Sequence, residues 1–305
     1  MPQNKPTLCV VTPTYNRAYI LDACYRSLQR QTCSDFMWMI IDDGSVDGTE
    51  ELVSQWQKEN KVEISYFKTE NRGKPSALNL SMDQCQCALW VCVDSDDYLS
   101  DTAVECILRE YRTIQSDDTC GGLIANMHDF DGNILGGKSF PKEYEYIVNR
   151  DIRYKAKMDV DLVRVFKSRL LCRPENRYPI FENEKYIGES YLYEKINTKY
   201  HIVRAPLYYA EYRDDGLTAN YLKLHVDNPL GYKLLKEQVI TLRIPLLHRC
   251  KAAASYVAAC MLNKEKGIVK HSPAKLLTAA TYPLGVIIYY KRYHKLVKEK
   301  RRNTL

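Results

Sequence analysis

The chain has 305 residues, 45% hydrophobic and 27% charged, an ordinary globular composition with enough apolar residues for a sizeable core. Its net charge of +6 is unevenly placed: Lys264 to Arg302 holds eleven Lys and Arg against Glu265 and Glu299, a net +9, which leaves −3 for the rest. The body is therefore not a basic nucleic-acid binder, and no RNP-like or other nucleic-acid signature accompanies the charged tail.

Met1 to Pro6 is polar, and the apolar run Leu8 to Val11 is far shorter than a signal h-region, which predicts a cytoplasmic protein. "LCVVTPTYNR" reads as a buried strand that breaks at Pro13, followed by a helix with Ile20, Leu21, Ala23, Cys24 and Leu28 at helical spacing. "FMWMIIDDGSVDGT" is a second apolar strand ending in Asp42, Asp43, Gly44 and Ser45, before a helix capped by Asp47 or Thr49. "KVEISYFK" alternates like a third strand, "NRGKPSALNLSMDQC" is a Gly-Pro loop entering a helix, and "ALWVCVDSDD" is a fourth strand. Alternating strands and helices predict a mostly parallel sheet flanked by helices, in which ligands bind beyond the carboxyl ends of the strands. The polar clusters "TPTYNR", "DDGS", "NRGK" and "DSDD" all fall at those ends and are expected to converge.

Beyond Ser116, Asp131-Gly132-Asn133 between apolar stretches signals a hairpin, and Lys157 to Leu171 a further strand and helix. From Tyr221 onward the pattern is helical. The expected division is 1–220, with a nucleotide-binding half of about 1–115 and an acceptor half of about 116–220, then a helical, basic region over 221–305. The eleven cysteines are scattered, and Cys85 and Cys87 lack a second pair at zinc-ribbon spacing, so they read as small buried apolar residues. In the tail, Leu276 to Tyr290 is apolar for about 15 residues, short of the roughly 20 that a spanning helix needs. It reads as interfacial, with Tyr289, Tyr290, Lys291, Arg292, Tyr293 and Lys295 at the headgroups of an anionic membrane, or alternatively as a helix closing the domain.

Asp94, Asp96 and Asp97 at a strand end are costly unless a cation meets them, and a hard divalent cation takes such oxygen ligands together with waters and phosphates. A solvated turn with a helix cap is the plainer reading of that stretch alone. No GxxxxGK[ST] and no strand-borne GxGxxG is present, which argues against a P-loop kinase and a dinucleotide oxidoreductase.

"VVTPTYNR", "IIDDGSVDGT", "NRGKPSALN" and "VDSDDYLS", in this order over the first hundred residues, resemble family 2 glycosyltransferases, the inverting GT-A class that uses nucleotide sugars. "EKYIGESYLYEKI" and "YRDDGLT" more weakly resemble the acceptor side of bacterial enzymes that build surface or capsular polysaccharide. The resemblance implies a GT-A fold, a UDP-sugar donor, Mn²⁺ or Mg²⁺ as cofactor, and a glycan or lipid-linked acceptor. By it, Asp94 contacts the ribose and Asp96 holds the metal; Asp42 or Asp43 receives the uracil imide N–H. Thr12, Tyr15 and Arg17 frame the base, with Arg72 and Lys74 nearby. It also implies a general base at Glu189, although Ser190 replaces the second acid many relatives carry, which leaves Glu184 or Glu182 as alternatives. Asp214 and Asp215 line the acceptor side or simply form a turn. The rival readings are a nucleotidyltransferase and a non-catalytic nucleotide-sugar-binding partner.

Overall fold

The computed structural model describes residues 5–213 and 220–303, so Asp214 and Asp215 lie outside the described residues. The first of its two compact units, Met1–Arg177 with Leu192–Glu211, is the α/β part. In chain order its elements are β1 (Leu8–Thr14), α1 (Asp22–Gln29), β2 (Phe36–Asp42), α2 (Thr49–Glu59), β3 (Ile64–Lys68), α3 (Lys74–Gln84) and β4 (Leu89–Cys92). There follow β5 (Tyr98–Leu99), α4 (Ala103–Ile114), β6 (Cys120–His128), β7 (Tyr146–Val148), α5 (Asn149–Tyr154), β8 (Leu162–Lys167) and α6 (Ser168–Leu171). Two more elements complete it: α7 (Ser190–Ile196), which joins this unit from Leu192 onward, and β9 (Lys199–Tyr209).

Among the described residues these strands form one nine-stranded sheet, ordered β3-β2-β1-β4-β8-β6-β9-β5, with β7 paired to β9. β1, β2 and β4 are nearly continuous apolar runs because a parallel strand covered by helices is buried on both faces. On one face Tyr25 of α1 stacks on Trp56 of α2 at 4.3 Å, above Trp38 of β2. The second half is mixed: β8 runs antiparallel to both β4 and β6, while β6 and β9 are parallel.

Register decides where chemistry can occur. Thr14 pairs with Asp42 and Asp42 with Lys68, while Val11 pairs with Cys92, so the loops leaving β1 to β4 emerge from the same edge. Gly44 turns the chain after β2 at φ 85°, where a Cβ would stand 2.9 Å from the Asn71 amide nitrogen. The expected hairpin at Asp131–Asn133 is a turn closed by the Asp129 carboxylate, with a single bridge between His128 and Ile134. Gly136 and Gly137, both at positive φ, follow Ile134 in place of a returning strand.

The second unit comprises Tyr178–Tyr191 and Tyr212–Leu305. Its helices are α8 (Tyr221–Asp227), α9 (Pro229–Thr241), α10 (Leu246–Leu262), α11 (Ile268–His271) and α12 (Lys275–Ile288). A π-helical turn over Tyr289–Tyr293 then leads into α13 (His294–Asn303). α10 is buried along Ala252, Ala253, Ala254, Tyr256 and Val257, and small residues there let α12 approach at Gly285.

The division differs from the expected break at 220, because 178–191 groups with the C-terminal helices. The Asn228 side-chain oxygen accepts the Lys185 and Tyr186 amides at 2.7 and 3.0 Å, and Gln238 donates to the Tyr191 carbonyl. No helix among the described residues is long and apolar enough to cross a membrane.

Candidate active site

The loops after β1 and β2 are laced together. Asn16, at φ 52°, accepts the Val46 amide on its side chain, and its own amide donates to Ser45 Oγ at 2.8 Å. Between them Tyr15 is 46% exposed, the one predicted base-framing side chain that presents a large open face. Arg17 turns to the Tyr19 hydroxyl at 2.8 Å. Thr12 is fully buried and accepts the Trp38 indole N–H at 2.9 Å, so it supports the loop from beneath.

The adjacent aspartates have different tasks. Asp42 is fully buried, accepting the Ser45 amide at 2.7 Å and the Tyr66 hydroxyl at 2.5 Å. Burial and the Asp42 carboxylate push the Tyr66 phenol well above the usual range, so it remains the donor. Asp43 reaches the loop after β3, where its two oxygens accept the amides of Arg72 at 2.8 Å and Gly73 at 2.7 Å. The N-terminus of α3 is thereby tied to β2. The Arg72 guanidinium extends outward to Glu70, whereas Lys74 bridges both oxygens of Asp94 at 2.7 and 2.9 Å.

Asp94 to Asp97 form a turn closed by the Asp97 amide on the Asp94 carbonyl at 3.1 Å. Asp94 is 40% exposed at its side chain and Asp96 is half-buried, so both reach solvent at the strand ends. Asp97 points inward: it is 9% exposed and accepts the Tyr208 hydroxyl at 2.7 Å. Burial first, then the charge of Asp94, pushes its carboxyl up to about 8.

The base candidates Glu182, Glu184 and Glu189 all belong to the second unit. Glu184 is half-buried and caps α9, its oxygens accepting the amides of Leu230 at 2.7 Å and Gly231 at 2.8 Å. Burial raises its carboxyl, with those two amides opposing the shift. Glu182 is exposed, and Glu189 is half-buried directly before α7.

Among the described residues no three His, Cys, Asp or Glu side chains make a self-sufficient metal cage. Asp96 beside Asp94 nevertheless fits a hard divalent cation that keeps waters and is completed by substrate phosphates, the usual habit of Mg²⁺ and Mn²⁺. The arrangement can hold a base, a ribose and a diphosphate in sequence across four loops. Tyr66, Tyr208 and Asn16 were not singled out by the sequence reading; Asn16, beside Tyr15 in a loop, carried the one usable signal, since Asn tolerates positive φ.

Comparison with known proteins decides the class. The model named Glycosyl transferase family 2 matches residues 9–174, more than half of the chain. The chain belongs to glycosyl transferase family 2. Its strand-end motifs lie inside the matched region, and it is a glycosyltransferase with a GT-A-like fold and bacterial surface-polysaccharide relatives. One relative is the GalNAc(5)-diNAcBac-PP-undecaprenol beta-1,3-glucosyltransferase of Campylobacter jejuni, 28% identical over 74% of this chain and 72% of that protein. Another is the putative teichuronic acid biosynthesis glycosyltransferase TuaG of Bacillus subtilis, 35% identical over 30% of this chain and 37% of its own length. Among solved structures, S. aureus TarS in complex with UDP-GlcNAc superposes with TM-score 0.61 at 16% identity, covering 97% of this chain and 92% of that one. The Pyrobaculum calidifontis mannosyltransferase PcManGT, solved with GDP-Man and Mn²⁺, gives TM-score 0.51 at 19% identity, over 95% and 88% of the two chains.

Proposed function

We propose that this glycosyltransferase moves a sugar from a UDP-linked donor, with inversion, to a lipid-linked surface-glycan acceptor at the cytoplasmic side of a membrane. The observation that carries the donor half is the grouping, at the ends of β1 to β4, of exposed Tyr15, buried Asp43, the Lys74–Asp94 pair and half-buried Asp96. Tyr15 offers the flat face on which a pyrimidine stacks, typically worth about 1–3 kcal/mol. Asp42 lies fully buried beneath Tyr66, whereas Asp43, 6% exposed and taking one backbone amide on each oxygen, keeps a second lone pair on each with which to accept the imide N–H. Asp94 takes a ribose hydroxyl, and Lys74 turns from Asp94 toward the diphosphate.

Asp96 would hold Mn²⁺ or Mg²⁺, which when bound offsets negative charge on the departing diphosphate. Glu189 takes the proton of the acceptor hydroxyl as its oxygen attacks the anomeric carbon. The C–O bond to the diphosphate breaks, its electron pair leaves with UDP, and attack from the opposite side inverts the anomeric centre. In support, the TarS structure contains UDP-GlcNAc, and the Campylobacter enzyme is named for an undecaprenol-diphosphate glycan.

The acceptor half rests on the second unit. α12 turns Gly285 and Thr278 inward and leaves Leu276 at 90%, Leu284 at 49% and Ile287 at 49% exposure along one stripe, ahead of the basic α13. An apolar stripe followed by Lys and Arg suits the interface of an anionic leaflet.

The test is a panel of UDP- and GDP-sugars with purified protein and an acceptor extract. UDP release that EDTA abolishes and Mn²⁺ restores is expected. Turnover indifferent to EDTA, or a product carrying the nucleotidyl group, would overturn the reading.

A further inference from the structure

The turn that carries Asp94 and Asp96 is held by a side chain more than a hundred residues further on. Tyr208, in β9, is 2% exposed, and its hydroxyl accepts the Asp94 amide at 3.0 Å while donating to Asp97 Oδ2 at 2.7 Å. Complete burial holds its phenol well above the usual tyrosine range, so the hydroxyl stays protonated.

The backbone is built to deliver this ring. Between β6 and β9 the register slips from Ala125 opposite Val203 to Met127 opposite Tyr208, so β9 bulges over Arg204 to Leu207. Bulges of this kind re-aim the side chain that follows them. Arg204 fixes the bulge by donating to the carbonyls of Phe140, Pro141, Lys142 and Tyr144, the last at 2.7 Å. Downstream of the motif, Ser100 bonds to Leu207 and Pro206, and Tyr98 stacks on Tyr209 at 5.2 Å.

We propose that Tyr208 is a positioning residue for the donor site: its hydroxyl pins the Asp94–Asp97 turn so that Asp94 and Asp96 face the donor diphosphate, with Asp97 as its anchor and not a ligand. The ligand assignment rests on the donor reading above; the pinning itself is independent of it. A core tyrosine with no such role would affect global stability and leave the turn and the nucleotide site alike.

Tyr208→Phe keeps the ring and removes only the hydroxyl. In the ligand-free protein, backbone hydrogen exchange over residues 93–98 is expected to speed up about tenfold, with protection of β1 and β2 unchanged, since the Asp94 amide and Asp97 both lose their partner. UDP affinity in the presence of Mn²⁺, measured by calorimetry, falls about tenfold by the same loss. Asp97→Asn keeps an acceptor oxygen for the phenol and is expected to behave as wild type in both measurements, whereas Asp97→Leu reproduces Tyr208→Phe. Unchanged exchange over 93–98 in Tyr208→Phe, or acceleration spread equally over the whole sheet, overturns the proposal. So does loss of UDP binding in Asp97→Asn with protection intact, which would make Asp97 a ligand. If the wild type fails to bind UDP with Mn²⁺, the donor reading falls, and the exchange comparison still decides whether Tyr208 pins the turn.

Discussion

Glu184 and Glu189 are five residues apart, and the structure separates what their replacement should do. Glu184 accepts the amides of Leu230 and Gly231 at the start of α9, where Pro229 lacks an N–H of its own. Glu184→Gln leaves one carbonyl oxygen for two amides, and turns an NH₂ toward the other. A lost cap typically costs about 0.5–2 kcal/mol, and removing a charge from a helix N-terminus about 0.3–1 kcal/mol. Relief of the burial that raises the Glu184 carboxyl offsets part of this, giving a net loss of about 1–2 kcal/mol. At about 2–4 °C per kcal/mol for a large domain, the melting temperature should fall by about 2–8 °C. Calorimetry would record that shift, with kcat little changed. Glu189→Gln is expected to show the reverse: an unchanged melting temperature, retained UDP binding, and a kcat about 10²–10⁴-fold lower. A Glu184→Gln protein that melts like the wild type but loses kcat on that scale would refute both the capping argument and the assignment of the base.

Gly285→Ala should destabilise the second unit by about 1–3 kcal/mol of overpacking, against a helix-propensity gain of about 1 kcal/mol. The new Cβ would stand 2.6 Å from the Ala254 carbonyl oxygen, so a rise in melting temperature would show that α12 is free to shift. Acid should loosen the same unit through His225, which stacks on Tyr232 at 3.8 Å and whose pKa is pushed down to about 4 by burial, then by Lys236 and Arg292. The folded value lies below the unfolded 6.5, so the unfolded chain takes the proton first: stability is full above about pH 6.5 and is lost as pH falls toward 4. His225→Phe should flatten the melting-temperature profile across that window. Full-length protein should float with anionic vesicles at low salt, and the pair Leu284→Ser and Ile287→Ser should abolish flotation without lowering UDP release; flotation unaffected by the pair would remove this stripe from the membrane contact.

The first four strands were legible because each is an apolar run broken by polar residues at the carboxyl end, a pattern that parallel burial imposes. Which polar residue faces a ligand was not. Asp42 and Asp43 are indistinguishable as letters, yet the alternation of a strand sends one into the core beneath Tyr66 and the other toward the loop of Arg72 and Gly73. Thr12 likewise sits in the motif but serves Trp38. Tyr208 was invisible among 24 tyrosines, because its role depends on a bulge in a strand far along the chain. The grouping of 178–191 with the helices depends on Asn228 and Glu184, long-range bonds that no local pattern announces.

The central claim is that a metal-assisted diphosphate departs at the Asp94–Asp97 turn, and Asp96→Ala tests it most directly. UDP release from the preferred donor would be measured with and without Mn²⁺, beside calorimetric binding of UDP and a melting curve. The expected result is a protein that melts like the wild type, releases no UDP, and gains no UDP affinity on adding Mn²⁺. Near-normal, Mn²⁺-stimulated UDP release by Asp96→Ala would contradict the account.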